Sequence, residues 1–400
     1  MHHDVDVAIV GGGLGGLTLA ISLLRRSVPV AVFEQTTELR EIGAGVAIAA
    51  NGARLLRDLG VELEHAGNIP PRLEFRRWHD GALIRSHEIG SWYRDRMGAP
   101  YVTMHRGTLQ RMLADEVPKE HLHLGHQVTG LVEEPDGVRL RFADRPDVVA
   151  RVVVGVDGVH SVVRRHVAGD VSPVCSGEIG FRGVIPVDAS PELPNPTSLH
   201  VWCGPRTHTV YYGVDDGQLI NLLAVFVPET LPAWTRSTNR VPATSAEALA
   251  IFSAAGWADS VLELIRNIEG DMRFWALQEL PRLRRWSSDR VALAGDAAHA
   301  PLPHQGQGAG QAIEDAYTLG HLLAEAGPGG HRHAFETYER SRRHRTRRVQ
   351  HYSRMAGKLM KLTGEAVPRR DEDLANVPHR IRWIHEYRAD APPSSGAVWH

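Results

Sequence analysis

The apolar positions of this chain fall into short unbroken runs, several closed by glycine and followed by a stretch with helical spacing. The first, Val5–Val10, leads into Gly11-Gly12-Gly13-Leu14-Gly15-Gly16 and then into a helix-like segment over residues 17–26. A second run over residues 28–33 stops at Glu34. Runs at residues 152–156, ending in Asp157-Gly158, and at residues 290–294, ending in Gly295-Asp296, repeat the arrangement. Strand-like segments alternating with helix-like ones predict an α/β fold with a parallel sheet. Between them, alternating runs at residues 198–202, 207–213 and 218–227 predict a second, mixed sheet. Residues 235–245 have few apolar positions and read as a loop, whereas 248–258 read as a buried helix. A long helix is expected over residues 333–362. The proline-containing remainder, 363–400, reads as an irregular tail folded onto a partner subunit.

The glycines near the N-terminus carry the first chemistry. Gly11, Gly13 and Gly16 have the G-x-G-x-x-G spacing between a strand and a helix. The first glycine permits a tight turn, the second lets backbone approach a pyrophosphate, and the third lets strand and helix pack closely. Leu14 and Gly15 then open a helix whose free N–H groups and positive dipole end favour phosphate. Glu34, about twenty residues on, is placed to accept hydrogen bonds from a ribose. NAD and FAD share this adenosine diphosphate portion, so the unit alone leaves both open.

Other segments extend the site. The loop from Leu39 and Arg40 to Gly52 contains Gly43-Ala44-Gly45-Val46, where backbone rather than side chain can lie against a planar ligand. His105-Arg106 places an arginine at the start of a helix expected to run to Ala114. Gly295-Asp296 closes a buried strand, and Pro303-His304-Gln305-Gly306-Gln307-Gly308-Ala309-Gly310 opens another helix. Asp296 suits a hydroxyl of a ribose or ribityl chain. The N–H groups from Gly306 to Ala309, including Gly308, suit a phosphate or an anionic ring edge.

Composition narrows the partners. Apolar residues make up 42% and charged residues 23%, and the formal net charge is −2, which gives no electrostatic reason to expect nucleic acid. Two cysteines, Cys175 and Cys203, are too few for a disulfide framework or thiolate metal site, so no metal is expected and a cytoplasmic location fits. No signal-like segment or bilayer-length apolar run is evident, so no membrane partner is expected. The six arginines between Arg340 and Arg348 read as the solvated face of the long helix, paired by Glu336 and Glu339 a turn away.

These motifs, in this order, resemble the class A flavoprotein aromatic hydroxylases, the group containing p-hydroxybenzoate, salicylate, 3-hydroxybenzoate and 6-hydroxynicotinate hydroxylases. The likeness covers residues 5–350 and is strongest to the salicylate and hydroxynicotinate branch. It implies a Rossmann-like, glutathione-reductase-type FAD domain interleaved with a mixed-sheet substrate domain, followed by a C-terminal helix. The FAD domain would comprise residues 1–71, 103–172 and 280–350, the substrate domain 72–102 and 173–279, and the helix end and tail 351–400. One FAD is expected along Gly11, Gly13, Leu14, Gly15, Gly16, Glu34, Gln35, Arg40, Val46, Arg106, Val128, Asp157, Asp296, Gly306, Gly308 and Ala309. Since no second glycine fingerprint follows a strand, NADH or NADPH would dock transiently. The chain would act as a monomer or homodimer.

The implied reaction passes one oxygen atom of O2 to an electron-rich carbon of a small phenolic or N-heteroaromatic substrate, carboxylated or not. Such chemistry needs a water-excluding pocket and a group that removes a phenolic proton. The candidates are His208, Tyr211 and Tyr212 on one strand, and His304 beside Pro303. Strand alternation puts His208, Val210 and Tyr212 on one face and Tyr211 on the other, and the first face is favoured. Arg182 suits a substrate carboxylate. The hydroxynicotinate enzymes carry a histidine where this chain has Ala47, so a base acting from that position is absent. Alternatives are a monooxygenase tailoring a larger natural product, a flavin dehydrogenase or oxidase, and a protein that binds FAD without turnover.

Overall fold

A computed structural model describes residues 3–39, 45–268 and 270–390. In chain order the helices are α1 (Leu14–Leu24), α2 (Ala50–Asp58), α3 (Ser91–Met97), α4 (Arg106–Asp115), α5 (Val162–Ala168), α6 (Ser245–Ala254), α7 (Asp259–Arg266), α8 (Asp296–His299), α9 (Gly308–Ala326), α10 (His331–Leu359), α11 (Val367–Ala375) and α12 (Val377–His385).

The apolar runs at Val5–Val10, Val30–Glu34 and Val148–Gly155 pair in parallel, with Leu122–Leu124 added at one side and Val291–Leu293 beside Val148–Gly155. Two antiparallel strands, Val138–Phe142 and Val128–Glu133, continue this sheet. Its central strands are buried because helices cover the sheet, which is why they read as continuous apolar runs. Leu17, Leu19, Ile21 and Leu23 of α1 join the same core as Leu319 and Leu323 of α9.

The second sheet has eight strands in the order Arg240–Pro242, Arg273–Glu279, Val174–Pro186, Leu219–Phe226, Thr207–Val214, Leu199–Gly204, Arg72–Arg77 and Leu83–Glu88. Only Leu199–Gly204 and Arg72–Arg77 run parallel. Strand alternation gives this sheet two apolar faces with different duties. Phe181, Leu222, Tyr211 and Trp202 pack into a core with Phe252, Val261 and Ile265 of α6 and α7. Arg182, Leu223, Val210, Tyr212 and Val201 face a cavity instead.

Two expectations need correction. The segment after the long helix is not irregular up to residue 385: Pro368 and Pro378 stand in the first turns of α11 and α12. A proline there lacks only an N–H that the first turn leaves unbonded anyway, so these prolines start helices rather than break them. The arginine stretch of α10 is also not simply a solvated face. Arg342 and Arg345 are buried, and Arg342 binds Glu314 and Asp315 of α9. Arg343 does pair with Glu339 one turn away, at 2.6 Å. Within 235–245 a short strand, Arg240–Pro242, forms, and Thr244 with Glu247 makes a capping box that starts α6.

Candidate active site

At the N-terminal turn the glycines differ in what they face. Gly11 has φ +111°, and a Cβ there would lie 2.5 Å from Val156 O; one on Gly16 would lie 1.9 Å from Gly11 O. Both positions therefore exclude a side chain for reasons internal to the fold. A Cβ on Gly13 would meet nothing within 4 Å, so this glycine keeps the space above the α1 N-terminus open. The α1 N-cap provides no side-chain bond and the first turn has no acidic residue, leaving its donors and dipole available to an anion. Glu34 Oε2 accepts from Gly12 N at 2.7 Å, and Gln110 Nε2 donates to Gly12 O at 2.7 Å, which fixes the turn from both sides. Gln35 follows in an exposed turn.

Not every expected cofactor residue faces open space. Asp157 spends its carboxylate on α5: it accepts from Ser161 Oγ at 2.5 Å, Val162 N at 2.7 Å and Val163 N at 3.1 Å. Its backbone lies against the Gly11 turn. Val128 is buried at the start of its strand, in the core. Arg40, with Gly43 and Ala44, lies outside the described residues.

The remaining residues converge on a cavity of ≈1160 Å³. From the nucleotide side it is lined by Leu14, Val46, Arg106, Asp296, Gly306, Gly308 and Ala309, and from the mixed sheet by Arg182 and Tyr212. Pro303 and His304 also belong to its lining. Gly306 has φ +60°, the left-handed turn that lets the short helix at Pro303–Gln305 end and α9 begin. α9, like α1, starts without a side-chain cap or an acidic first turn. Asp296 reaches into the cavity with no hydrogen-bond partner among the described residues. Burial among protein raises its pKa, although His299 and Arg106 work against that shift. A second uncapped helix start, an unpartnered carboxylate and open space at Gly13 fit FAD.

Charge on the opposite wall is also unpaired. Arg182 stacks over Trp275, 5.0 Å from the ring centroid, and has no carboxylate partner among the described residues. Surrounding protein lowers its pKa, and Arg106 adds to the effect. Burial pushes the Tyr212 hydroxyl above its ordinary range and that of Tyr101 up to about 12, so both remain protonated donors at neutral pH.

The candidate bases separate. Tyr211 lies in the other core, its ring stacked on His200 at 4.4 Å, away from the cavity; as a catalytic candidate it is corrected. His208 is wholly buried beneath the Pro303 loop, 5.1 Å from the His304 ring, and neither of its nitrogens has a protein partner. Burial, with His304 and Lys361 nearby, lowers its pKa well below the usual histidine range, so it is neutral. The His304 ring packs over Gly357 of α10 and holds Nε2 3.0 Å from Glu178 Oε2. Burial works to raise the Glu178 pKa, but His304 and Lys361 outweigh it and hold it at about 2.

Sequence reasoning missed Tyr93, Tyr101, Asn221 and His385, which also line the cavity. His385 belongs to the segment read as an irregular tail. Asn221 shares the strand face of Leu223, and the alternation around it would have located it: its Oδ1 accepts from Gly45 N at 2.6 Å and so fixes the glycine loop.

Comparison with known proteins agrees with this arrangement. The chain is 38% identical over 396 residues, 97% of each chain, to a 3-amino-4-hydroxybenzoate 2-monooxygenase of Streptomyces platensis. It is 34% identical over 356 residues to a 6-hydroxynicotinate 3-monooxygenase of Bordetella bronchiseptica, covering 88% of this chain and 91% of the relative. A salicylate hydroxylase structure in substrate complex superposes with a TM-score of 0.81 at 29% identity, covering 98% of this chain and 99% of the other. A family described as FAD binding domain matches residues 4–353, and the chain belongs to that family of flavoprotein monooxygenases.

Proposed function

We propose that this protein hydroxylates a small aromatic substrate, phenolic or N-heteroaromatic, using FAD, O2 and a transiently docked NADH or NADPH. The observation that carries this reading is one shared cavity, lined on one side by cofactor-type residues and on the other by Arg182 and Tyr212. Its ≈1160 Å³ exceeds the roughly 300–1,000 Å³ of a typical one-ligand site, leaving room for a flavin ring and an aromatic ring together.

Bound FAD supplies the redox chemistry and the activation of O2. Gly13, the α1 and α9 N-termini, Arg106 and Asp296 hold it. Arg182 pairs a substrate carboxylate, and Tyr212 donates to a substrate oxygen. His304, wholly buried between Gly357 and Glu178, anchors the Pro303 loop against the substrate rather than meeting it through Nδ1. Leu302, Val201, Val210 and Leu223 line the cavity and limit water around the reacting atoms.

Trp92 and Met355, 53% and 50% exposed while lining the same cavity, favour a second reading in which the substrate is a larger natural product. Product analysis by mass spectrometry tests both: holoenzyme is incubated with NADH or NADPH and a panel of hydroxybenzoates, hydroxypyridines and extended phenols. A product heavier by one oxygen from the small compounds supports the first reading, and one from extended phenols alone supports the second. No oxygenated product from any of them contradicts both.

A further inference from the structure

The wall of the cavity built by α3 and α12 contains a chain of buried polar groups whose donors and acceptors can be assigned from one end to the other. It begins at Glu314, a carboxylate between Arg342 and Arg345 and therefore only an acceptor. Asn51 lies 2.6 Å from Glu314 Oε1 through its side-chain nitrogen, since a carbonyl there would face a carboxylate. The same nitrogen donates to Gln307 Oε1 at 3.1 Å. The amide nitrogen of Gln307 must then be the group facing His385 Nε2, 3.5 Å away.

A donor facing Nε2 leaves that atom unprotonated, because burial beside Arg345 and Arg54 lowers the His385 pKa to about 3 and keeps the ring neutral. Its one proton is therefore on Nδ1, which lies 2.9 Å from Tyr93 Oη. Tyr93 Oη also lies 3.1 Å from Ala50 N, which can only donate. The hydroxyl oxygen thus accepts two hydrogen bonds. Its own proton has no acceptor among the described residues, while Tyr93 lines the cavity.

We propose that the Tyr93 hydroxyl is a hydrogen-bond donor directed into the cavity by His385, and that it recognises an oxygen of the aromatic substrate, a carboxylate or a phenolate. The relay makes the site selective: a ligand without an acceptor at this wall leaves the tyrosine proton unpaired in a buried place, which costs affinity. Tyr101, 6.0 Å from Tyr93 between ring centroids, extends the same polar wall towards Gly306. The α12 helix is thereby part of the recognition surface and not only a cover.

What the donor meets rests on the aromatic-substrate reading above, but the tautomer of His385 does not. Protein labelled with 15N-histidine, with the His385 signal assigned by its loss in His385→Asn, should show Nδ1–H; Nε2–H overturns the assignment. In the holoenzyme, flavin-absorbance titration with 4-hydroxybenzoate and benzoate measures affinity directly. Tyr93→Phe should weaken binding of a bound probe about 10-fold to 100-fold, with a smaller change in kcat, the range expected for one hydrogen bond to an ionised group. His385→Asn, which keeps a donor towards Tyr93, should bind near the wild-type level, and His385→Leu should behave like Tyr93→Phe. Unchanged affinity in both Tyr93→Phe and His385→Leu overturns the proposal. If Tyr93→Phe fails to fold, the His385 pair and the tautomer carry the same test. A wild-type holoenzyme that binds neither probe counts against the aromatic-substrate reading, and the tautomer then decides the donor assignment.

Discussion

Arg342 Nη1 stands 2.5 Å from Glu314 Oε2 with both side chains fully buried, and Arg342 Nε stands 2.7 Å from Asp315 Oδ1. Arg345 adds a contact of 2.6 Å to Glu314, and Asp315 one of 2.5 Å to His299. The cluster ties the third turn of α9, whose first turn lines the flavin side of the cavity, to α10 and to α8. A buried pair that loses one member leaves an uncompensated charge, so Arg342→Met should destabilise the protein by about 3–5 kcal/mol. Denaturant unfolding followed by circular dichroism measures it; a loss below about 1 kcal/mol, typical of exposed pairs, would contradict the role.

The same cluster sets an acid limit. Burial raises the pKa values of Glu314 and Asp315, but Arg345, Arg342 and His299 outweigh it and hold both below the ordinary carboxylate range. A depressed folded-state pKa contributes stability that is fully present above the unfolded value of about 4 and is lost as pH falls through the folded value. The melting-temperature gap between wild type and Arg342→Met should therefore be constant from about pH 8 to pH 5 and narrow below about pH 4. A gap that closes near neutrality would place the pairing elsewhere.

Gly13 and Gly16 should respond differently to the same change. Gly16→Ala puts a Cβ 1.9 Å from Gly11 O and should destabilise the apoprotein, whereas Gly13→Ala meets nothing within 4 Å. Gly13→Ala should therefore fold normally and bind FAD about tenfold or more weakly, a loss of about 1.4 kcal/mol or more. Fluorescence titration of apoprotein with FAD, beside thermal melts, separates the two effects. Equal FAD affinity in wild type and Gly13→Ala would remove the pyrophosphate from this turn.

Arg182 carries a charge that no described carboxylate balances. If it pairs a substrate carboxylate, Arg182→Met should raise KM for carboxylated substrates about 10-fold to 100-fold, matching a charge-assisted bond of about 1.5–3 kcal/mol. KM for a phenol without a carboxylate should change little. A uniform rise across both classes would assign Arg182 to the general shape of the cavity.

Much of the nucleotide side was legible because its constraints are local. Gly16 is dictated by a backbone contact with Gly11 five residues away, and parallel strands buried on both faces leave unbroken apolar runs. Alternation likewise separated Tyr212 from Tyr211, since neighbouring strand positions cannot share a face. Long-range pairing left weaker traces. The charge on Arg342 and Arg345 is neutralised from α9, so the sequence around them looks like any solvated helix. Asp157 was placed with the cofactor through the family resemblance, and the bonds its carboxylate makes to the start of α5 left no trace in the sequence pattern. His385 is held at the cavity by Arg54 and Arg345, which bind backbone carbonyls within residues 383–387, contacts between segments far apart in the chain.

The most direct test of the monooxygenase account is turnover under 18O2 with NADH or NADPH and the aromatic panel, following nicotinamide oxidation, hydrogen peroxide and product mass together. We expect an aromatic compound to stimulate oxidation and to return as a hydroxylated product carrying one 18O atom, with little peroxide. Substrate oxidation without 18O in the product, or stimulated oxidation that yields peroxide alone from every compound, would contradict oxygen insertion as this protein's reaction.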